Sequence, residues 1–348
     1  MNIADVDKNF KINPKIEKDD IKFYSADEMP FIIYGVFREN DKYVRMPGEV
    51  AKKVSEGVSL LYDDTAGGRV KFKTNSSYVA IHTKITPCCL SHMALTGSSG
   101  FDLYADGIFI KTFVPPFDIY WTDRIFEDII TLPDNKMHEI SINFPLYGSV
   151  EELYIGLQET ADLCETCGYK NEKPIVYYGS SITQGGCASR PGTCYQAFVS
   201  REFDCDYINL GFSGNAKGEV EMAEYIAGLD MSMFVYDYDY NAPDEEYLEQ
   251  THERMFKIIR KKHPDIPVIM MSKPVFTYNE ANLKRRNIVE ATYKNALANG
   301  DNNVYFLDGK TLMKECENEG TVDGAHPNDF GFASMAHALI DVMENIDF

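Results

Sequence analysis

The sequence is poor in positive charge. It has 34 lysine and arginine residues against 54 aspartate and glutamate residues, which gives a formal net charge of −20. Nucleic acids and anionic membrane surfaces bind basic faces, because their phosphates must be neutralised on contact. The charge therefore argues against a nucleic-acid or membrane partner and is typical of a well-solvated surface.

The chain also lacks a long apolar segment. No run approaches the roughly 20 residues that span a bilayer, and MNIADVDKNFKINPKIEKDD at the beginning has mixed charges without the apolar core of a signal peptide. We therefore expect a soluble, cytoplasmic protein. Internal repeats and low-complexity tracts are not evident either.

The eight cysteines do not form a recognisable disulfide or metal framework. Cys164 and Cys167 make one C-x-x-C pair, but a structural zinc site of this kind takes a second pair with the same spacing. A weaker metal-like grouping lies upstream: His82, Cys88, Cys89 and His92. We interpret all the cysteines, including Cys187 and Cys194 on either side of ASRPGT, as free thiols.

The length of 348 residues predicts about two domains, and the first has the pattern of a β-sandwich. Between residues 59 and 157, RVKFKT, YVAIHTKI and HEISINF alternate apolar and polar residues at the period of a half-buried strand. FDLYADGIFIKTF contains two such runs around Asp106-Gly107, a pair that favours a tight hairpin turn. We predict a jelly-roll-like β-sandwich over residues 1–160, with the polar segment Glu159–Lys173 as a linker.

After Pro174 short apolar segments alternate with longer helical ones. The strand candidates are IVYYG, YINLG, SMFVYDYDY, IPVIMMS and NVYFLDG, and the last segment, DFGFASMAHALIDVMENI, has apolar residues at helical spacing. Strands that alternate with helices require crossover connections and hence a mainly parallel sheet. We predict a three-layer α/β/α domain over residues 173–348, with its ligand site at the carboxyl ends of the strands.

Small and polar residues follow three of the predicted strands. Gly179 allows a sharp turn before GSSITQ continues as a helix, whose N–H groups would face a serine. In NLGFSGNAKG, Gly214 can present its backbone N–H to a ligand. Asn241 ends the next strand, and its amide can donate to an oxyanion. Taken alone, Gly-Ser-Ser is better interpreted as turn filler, and NLGFSGNAKG is equally compatible with a plain loop before a helix. Asn241 is also compatible with an Asx turn that leads into a helix.

A fourth segment, TVDGAHPND, places Asp323 three residues before His326 in a loop that contains glycine. A carboxylate can hold an imidazole in the tautomer that accepts a serine proton. As metal ligands, the two residues would need further partners, and no partner cluster is evident. All four segments fall at one edge of a parallel sheet, in an order that makes a working acyl-transfer site.

These segments resemble the four blocks of the SGNH (GDSL-like) hydrolase superfamily, as YYGSSITQGG, NLGFSG, DYNAP and DGAHP. In addition, GFDLYADG resembles the Gly-x-Asp-Leu-Tyr motif of a β-sandwich domain that precedes SGNH domains in one subgroup. The resemblance implies an enzyme that needs no metal or organic cofactor. It also implies these site residues: the nucleophile Ser181, the base His326 with Asp323, and the oxyanion donors Ser181, Gly214 and Asn241.

Two blocks depart from the family pattern. Ser180 stands where an aspartate usually precedes the nucleophile, and Asp239-Tyr240-Asn241-Ala242 replaces Gly-x-Asn-Asp. The bulkier block places Tyr240 where it could line a sugar or acyl group. Arg190 is a further candidate for binding a sugar hydroxyl or carboxylate, although a surface salt bridge is the plainer interpretation.

Three functions stay open. The subgroup resembles carbohydrate acetyl esterases, which implies removal of O-acetyl or other short acyl groups from a small-molecule or oligosaccharide ester. The same machinery also suits another short-chain ester, a thioester or a lysophospholipid, although no apolar lid-like segment suggests a lipase for long chains. The third is a catalytically inert carbohydrate-binding protein, which the joint presence of the four block residues disfavours. The sequence leaves a homo-oligomer open.

Overall fold

The computed structural model, which describes residues 16–348, contains three antiparallel sheets and one parallel sheet. The antiparallel sheets lie within residues 21–164 and the parallel sheet within residues 171–307. The predicted order, a strand-rich N-terminal domain followed by an α/β domain with a parallel sheet, is confirmed.

The N-terminal strands form two large sheets that share one core, and one small two-stranded sheet. In chain order they are β1 (Ile21–Ser25), β2 (Ile32–Tyr34), β3 (Phe37–Glu39), β4 (Lys42–Val44), β5 (Arg69–Thr74), β6 (Tyr78–Thr86), β7 (Phe101–Ala105), β8 (Ile108–Phe113), β9 (Ile125–Thr131), β10 (His138–Asn143), β11 (Ser149–Gln158) and β12 (Leu163–Cys164). One large sheet has the order β1-β11-β6-β9 and the other β12-β5-β10-β7-β8, with β2 also paired to β5. The small sheet consists of β3 and β4. The predicted turn between β7 and β8 has φ values of 52° at Asp106 and 78° at Gly107.

The C-terminal sheet has five parallel strands: β13 (Asn171–Gly179), β14 (Cys205–Gly211), β15 (Met233–Asp237), β16 (Val268–Met271) and β17 (Val304–Leu307). Their spatial order is β14-β13-β15-β16-β17. The chain therefore reverses its direction of winding between β13 and β15. In open parallel sheets this is where the loops part and leave a crevice at the carboxyl ends of the strands.

Helices cover both faces of the parallel sheet. In chain order the helices are α1 (Gly48–Val54), α2 (Glu56–Leu61), α3 (Leu95–Ser98), α4 (Ser181–Gln184), α5 (Tyr195–Phe203), α6 (Val220–Ala227), α7 (Glu245–Lys262), α8 (Glu280–Ala298), α9 (Gly309–Leu312) and α10 (Asp329–Met343). Val176 and Tyr178 of β13 pack into one hydrophobic cluster, and Ile175 and Tyr177 pack into another on the opposite face. No helix within residues 16–348 is long and apolar enough to cross a membrane.

Two features differ from the sequence prediction. Helices α1 and α2 lie in the N-terminal part of the chain, before β5. Their residues Ala51, Val54 and Val58 are nevertheless buried in the same hydrophobic cluster as Leu210 and Met222 of the α/β domain. The supposed linker also contains β12, which pairs with β5. The N-terminal part of the chain therefore contributes directly to the hydrophobic core beside the parallel sheet.

Candidate active site

The turn after β13 presents Ser181 as the first residue of α4. The side chain of Ser180 caps this helix, since its Oγ accepts a hydrogen bond of 3.1 Å from the N–H of Ile182. Gly179 has no room for a side chain, because a methyl group there would overlap Asp237 Oδ1 and Thr183 Oγ1. The strand therefore ends in a close-packed turn, in which Ser180 supports the helix and Ser181 faces the crevice.

Ser181, His326 and Asp323 are joined by hydrogen bonds. Ser181 Oγ lies 2.9 Å from His326 Nε2, and His326 Nδ1 lies 2.8 Å from Asp323 Oδ2. Ser181 is only 6% exposed. The structure thus brings together the three residues that the sequence predicted for the site. Because the imidazole lies between the hydroxyl and the carboxylate, the ring can accept the hydroxyl proton.

The carboxylate of Asp323 is held in its ionised form. Oδ1 accepts hydrogen bonds from the backbone N–H groups of His326 at 2.8 Å and Ala325 at 3.0 Å. Partial burial acts to raise the pKa of Asp323, but these donors and the His326 ring outweigh it and lower the pKa below its usual value. Asp323 can therefore orient the imidazole and stabilise its charged form without taking its proton.

The His326 loop is fastened on both sides. The N–H of Val322 donates to the backbone oxygen of His326 at 2.9 Å, which closes the loop on itself. The next helix, α10, begins at Asp329, whose carboxylate accepts from the N–H of Ser189 at 2.8 Å and from Thr193 Oγ1 at 2.7 Å. Since Ser189 and Thr193 follow the nucleophile helix in the chain, Asp329 sets the position of the base relative to Ser181.

Three donors that follow the neighbouring strands β13, β14 and β15 have no acceptor among the residues that the structure describes: the N–H groups of Ser181 and Gly214 and the side-chain N–H₂ of Asn241. Gly214 has φ of 70°, and a Cβ there would meet no atom within 4 Å, so its backbone borders open space. Asn241 Oδ1 accepts from the N–H of Ala216 at 3.4 Å, which leaves Nδ2 as the free end of the amide. Such donors can stabilise a developing oxyanion.

The N-terminal domain contacts the nucleophile helix directly. Tyr147, just before β11, donates its hydroxyl to the backbone oxygen of Ser181 at 3.1 Å. Gln184 of α4 donates to Asp64 Oδ2 at 2.7 Å in a buried contact. Burial raises the pKa of Asp64 to about 7, against the opposing influence of the Arg45 charge and the Gln184 bond. Arg45 is itself fully buried and donates to the backbone oxygen of Gly211 at 2.5 Å.

Two buried acids lie at and beyond the end of β15. Asp237 Oδ1 accepts from the hydroxyl of Thr183 and from the N–H of Ser180, whereas Oδ2 has no hydrogen-bond partner in the described part of the chain. Burial raises the pKa of Asp237 to about 8. Asp239 accepts from the N–H of Lys273 at 3.1 Å, and burial raises its pKa to about 6. Both carboxyl groups therefore hold backbone N–H groups just beyond the strands that neighbour β15.

The two predicted substrate-lining residues differ in their surroundings. Tyr240 is 44% exposed, with Lys273 Nζ 3.5 Å from its ring centroid, and remains accessible to a ligand. Arg190 instead donates to Asp102 Oδ2 at 2.8 Å and to the Tyr104 hydroxyl at 2.5 Å. Asp102 is fully buried, so this is an interdomain ion pair rather than the expected surface salt bridge, and its contacts give no support to a sugar-binding role for Arg190.

The Gly-x-Asp-Leu-Tyr motif explains this ion pair. Its aspartate and tyrosine are Asp102 and Tyr104 on β7, and Asp102 Oδ2 also accepts from the N–H of Gly192 at 2.8 Å. The other carboxylate oxygen accepts from Asn143 Nδ2 at 2.7 Å. The motif therefore docks the segment that follows the nucleophile helix onto the β-sandwich.

Comparison with known proteins agrees with this architecture. A model of the GDSL-like lipase/acylhydrolase family matches residues 172–344, and a model of the N-terminus of SGNH hydrolase-type esterases, named GxDLY, matches residues 21–163. No curated protein matches the sequence significantly.

Several solved structures share the whole architecture. A protein described as a GDSL-like lipase from Bacteroides ovatus superposes with a TM-score of 0.81 at 28% identity, over 93% of this chain and 97% of that one. The salicylyl-acyltransferase SsfX3 from a tetracycline biosynthetic pathway gives 0.78 at 18% identity, over 94% and 98%. A family two carbohydrate esterase from Clostridium thermocellum gives 0.63 at 14% identity, over 90% and 98%. The last two show the shared fold alone. The chain belongs to the GDSL-like (SGNH) lipase/acylhydrolase family, with a GxDLY-type N-terminal domain.

Proposed function

We propose that this protein is a serine esterase that removes O-acetyl or other short acyl groups from carbohydrate. The observation that carries the proposal is the continuous chain of hydrogen bonds from Ser181 through His326 to Asp323. Three N–H donors that have no acceptor among the described residues follow the same neighbouring strands β13, β14 and β15. A hydroxyl, a base with its orienting carboxylate and unpaired donors are together what an acyl transfer requires.

The reaction follows from these contacts. As the Ser181 hydroxyl attacks the ester carbonyl, its proton passes to His326 Nε2, and Asp323 stabilises the resulting imidazolium. The carbonyl oxygen becomes an oxyanion, which the N–H groups of Ser181 and Gly214 and the amide of Asn241 are available to meet. Each such donor contributes roughly 3 kcal/mol in the transition state. His326 then protonates the leaving alcohol, and water releases the acid from the acyl-enzyme.

The carbohydrate part of the proposal rests on an exposed aromatic segment. Phe117, Tyr120 and Trp121 lie within five residues of one another, and Trp121 is 77% exposed. The N–H of Ile85 donates to the backbone oxygen of Arg124, which places this segment beside the end of β6. The loop that leaves β6 carries His92, whose ring lies 5.5 Å from that of His326. The segment thus lies beside the strand that leads into the His92 loop, and its flat aromatic faces suit the apolar faces of sugar rings.

The test is acetate release from 4-nitrophenyl acetate and from acetylated oligosaccharides, with the intact protein and with Ser181→Ala. We expect the intact protein to hydrolyse both substrates and Ser181→Ala to hydrolyse neither. A series of 4-nitrophenyl esters of increasing chain length separates a pocket for acetyl from one for longer acyl groups. If the folded protein releases acetate from neither substrate, the acetyl esterase proposal is wrong, and activity confined to long chains or thioesters would identify a different acylhydrolase.

A further inference from the structure

The catalytic base has two metal-ligating neighbours. His92, Cys187 and His326 each offer one ligand atom, and these atoms all lie within 4.8 Å of one another. The three residues come from separate segments: the loop after β6, the turn after α4 and the loop before α10. The sequence showed no further metal ligands for His326, because nothing in the order of residues indicates that these segments meet. The fold brings His92 and Cys187 to His326.

The orientation of His326 suits metal binding at Nε2. Its Nδ1 is engaged by Asp323 at 2.8 Å, so a metal would bind at Nε2, where it would compete with the Ser181 hydroxyl that lies 2.9 Å away. Metal-bound histidines almost always have their far nitrogen held in this way by a carboxylate, a backbone carbonyl or water, which fixes the ring and makes it a better donor. Asp323 would therefore orient the His326 ring for a metal at Nε2 in the same way that it orients the ring as a catalytic base.

The backbone conformation at Cys187 is unusual for a residue that carries a side chain. Its φ is 74°, in the left-handed region where a side chain is strained and where glycine would be relaxed. The residue before it, Gly186, has no space for a side chain, since a Cβ would lie 2.8 Å from the Tyr147 hydroxyl and 3.0 Å from the backbone oxygen of Ser181. The tight turn thus carries a buried thiol, in a strained conformation, beside the imidazole of His326.

We propose that His92, Cys187 and His326 bind Zn²⁺, with water as the fourth ligand, and that the bound ion switches the esterase off. A thiolate with two imidazoles is a ligand set that suits Zn²⁺ and does not suit Mg²⁺ or Ca²⁺. Three protein ligands leave one position of a tetrahedron for water. His92 is partly exposed, so an ion can enter from the solvent side.

The chemistry of inhibition is direct. On binding, the Cys187 thiol loses its proton to the solvent and forms the metal–sulfur bond. The lone pair of His326 Nε2 is then donated to the ion and can no longer accept the proton of Ser181. Acylation stops while the ion is bound, and its removal by a chelator restores the base. The inhibition rests on the function proposed above, whereas metal binding does not.

Binding is tested with Co²⁺, which reports thiolate ligands and tetrahedral geometry by absorbance. The starting protein is chelator-treated and carries Cys164→Ser and Cys167→Ser, because that exposed C-x-x-C pair is a competing site. We expect one ion per chain with a sulfur-to-cobalt charge-transfer band. Cys187→Ser should abolish the band, while Cys89→Ser, a matched control in the loop that also carries His92, should keep it.

The variant His92→Gln is a second test of the metal site. Because the His92 side chain is partly exposed, this substitution should disturb folding less than a substitution of buried Cys187. Loss of an outer-shell partner alone weakens metal binding about 10–100-fold, so loss of a ligand should weaken it at least tenfold. The concentration of Zn²⁺ that halves hydrolysis should rise by the same factor, with each variant compared with its own activity in chelator.

The outcomes separate the two proposals. Co²⁺ binding that is unchanged in both His92→Gln and Cys187→Ser overturns the metal site. Binding with no loss of hydrolysis, or with a gain, overturns the switch. If the protein binds Co²⁺ through these residues but hydrolyses no ester, the proposed function fails and the metal site stands. Far-UV circular dichroism of each variant confirms that it is folded.

Discussion

The carboxyl group of Asp237 occupies the space that a side chain on Gly179 would need. A methyl group at Gly179 would overlap both Asp237 Oδ1 and Thr183 Oγ1. The two residues end neighbouring parallel strands, where Gly179 is paired with Asp237. The abrupt strand end before the nucleophile thus depends on a glycine because a buried acid lies directly beside it.

Replacing Gly179 by alanine should therefore destabilise the fold. Overpacking of a close-packed site costs about 1–3 kcal/mol, and here the neighbour is a buried carboxyl group with little freedom to move. We expect the free energy of unfolding in urea to fall by at least this amount. Gly228→Ala is the matched control, because Gly228 lies at the end of a helix with φ of −85° and only moderate crowding. Equal stability of the two variants would show that the turn can relax.

Asp237 should make the stability of the protein depend on pH. Burial raises its pKa in the folded state to about 8, whereas an unfolded aspartate has a pKa of about 3.9. Between these values the folded state binds the extra proton, so its contribution to stability is complete below about pH 4 and is lost as the pH rises to about 8. One such group changes the free energy of unfolding by at most about 1.4 kcal/mol per pH unit.

Urea unfolding at pH 5, 6, 7 and 8 measures this slope. Asp64 and Asp239, whose pKa values burial also raises, act in the same direction. Asp237→Asn should flatten the profile, while Asp230→Asn, at an exposed salt bridge with Lys173, should leave it unchanged. A profile of the same steepness in Asp237→Asn would mean that its carboxyl group is already ionised in the folded protein at pH 5.

The sequence predicted the elements better than their contacts. The segment RVKFKT coincides with β5, and the helical segment DFGFASMAHALIDVMENI contains α10, because periodicity is a local property. Local motifs also predicted Ser181, Asp323 and His326. Four supporting residues were missed, since their roles depend on packing between distant segments: Asp64, Tyr147, Asp237 and Asp329. Only Asp237 had a local signal, as an acid within a buried strand.

Asp323→Asn should lower kcat by about 10⁴-fold with little change in KM. The asparagine can keep contact with the ring but cannot hold it in the tautomer that accepts the Ser181 proton. Because the pKa of Asp323 is held below its usual value, the carboxylate is ionised at every pH above about 4, so the loss should be the same from pH 5 to pH 9. Steady-state kinetics with 4-nitrophenyl acetate measure it. The control is Asp341→Asn, an exposed partner of Lys314 on α10.

Arg190→Ala tests whether Arg190 docks the domains or binds substrate. Removing it leaves Asp102 fully buried and without its cation, and breaking a buried pair in this way costs about 3–5 kcal/mol. We therefore expect a large fall in the free energy of unfolding. At a temperature where the variant is folded, KM for an acetylated oligosaccharide should stay within about twofold. Unchanged stability with a raised KM would support the original sugar-binding hypothesis, and Lys173→Ala, at an exposed salt bridge, is the control for loss of a cation.

Trp121→Ala separates a carbohydrate substrate from a simple ester. If the indole stacks on a sugar ring, its loss removes binding that is equal in the ground and transition states, which raises KM and leaves kcat unchanged. Loss of one large apolar contact of roughly 1.5 kcal/mol corresponds to about a tenfold rise. We expect that rise for an acetylated oligosaccharide and none for 4-nitrophenyl acetate, which carries no sugar ring.

The control for Trp121→Ala is Leu60→Ala, a similarly exposed apolar residue on α2. If Trp121→Ala instead weakens hydrolysis of long-chain esters and leaves oligosaccharides untouched, the exposed aromatic segment binds acyl chains. The substrate would then be a lipid-like ester, because the same rings that stack on a sugar can also cover a hydrocarbon chain. A loss that is equal for all substrates would point to a structural role for Trp121, which a lowered melting temperature would reveal.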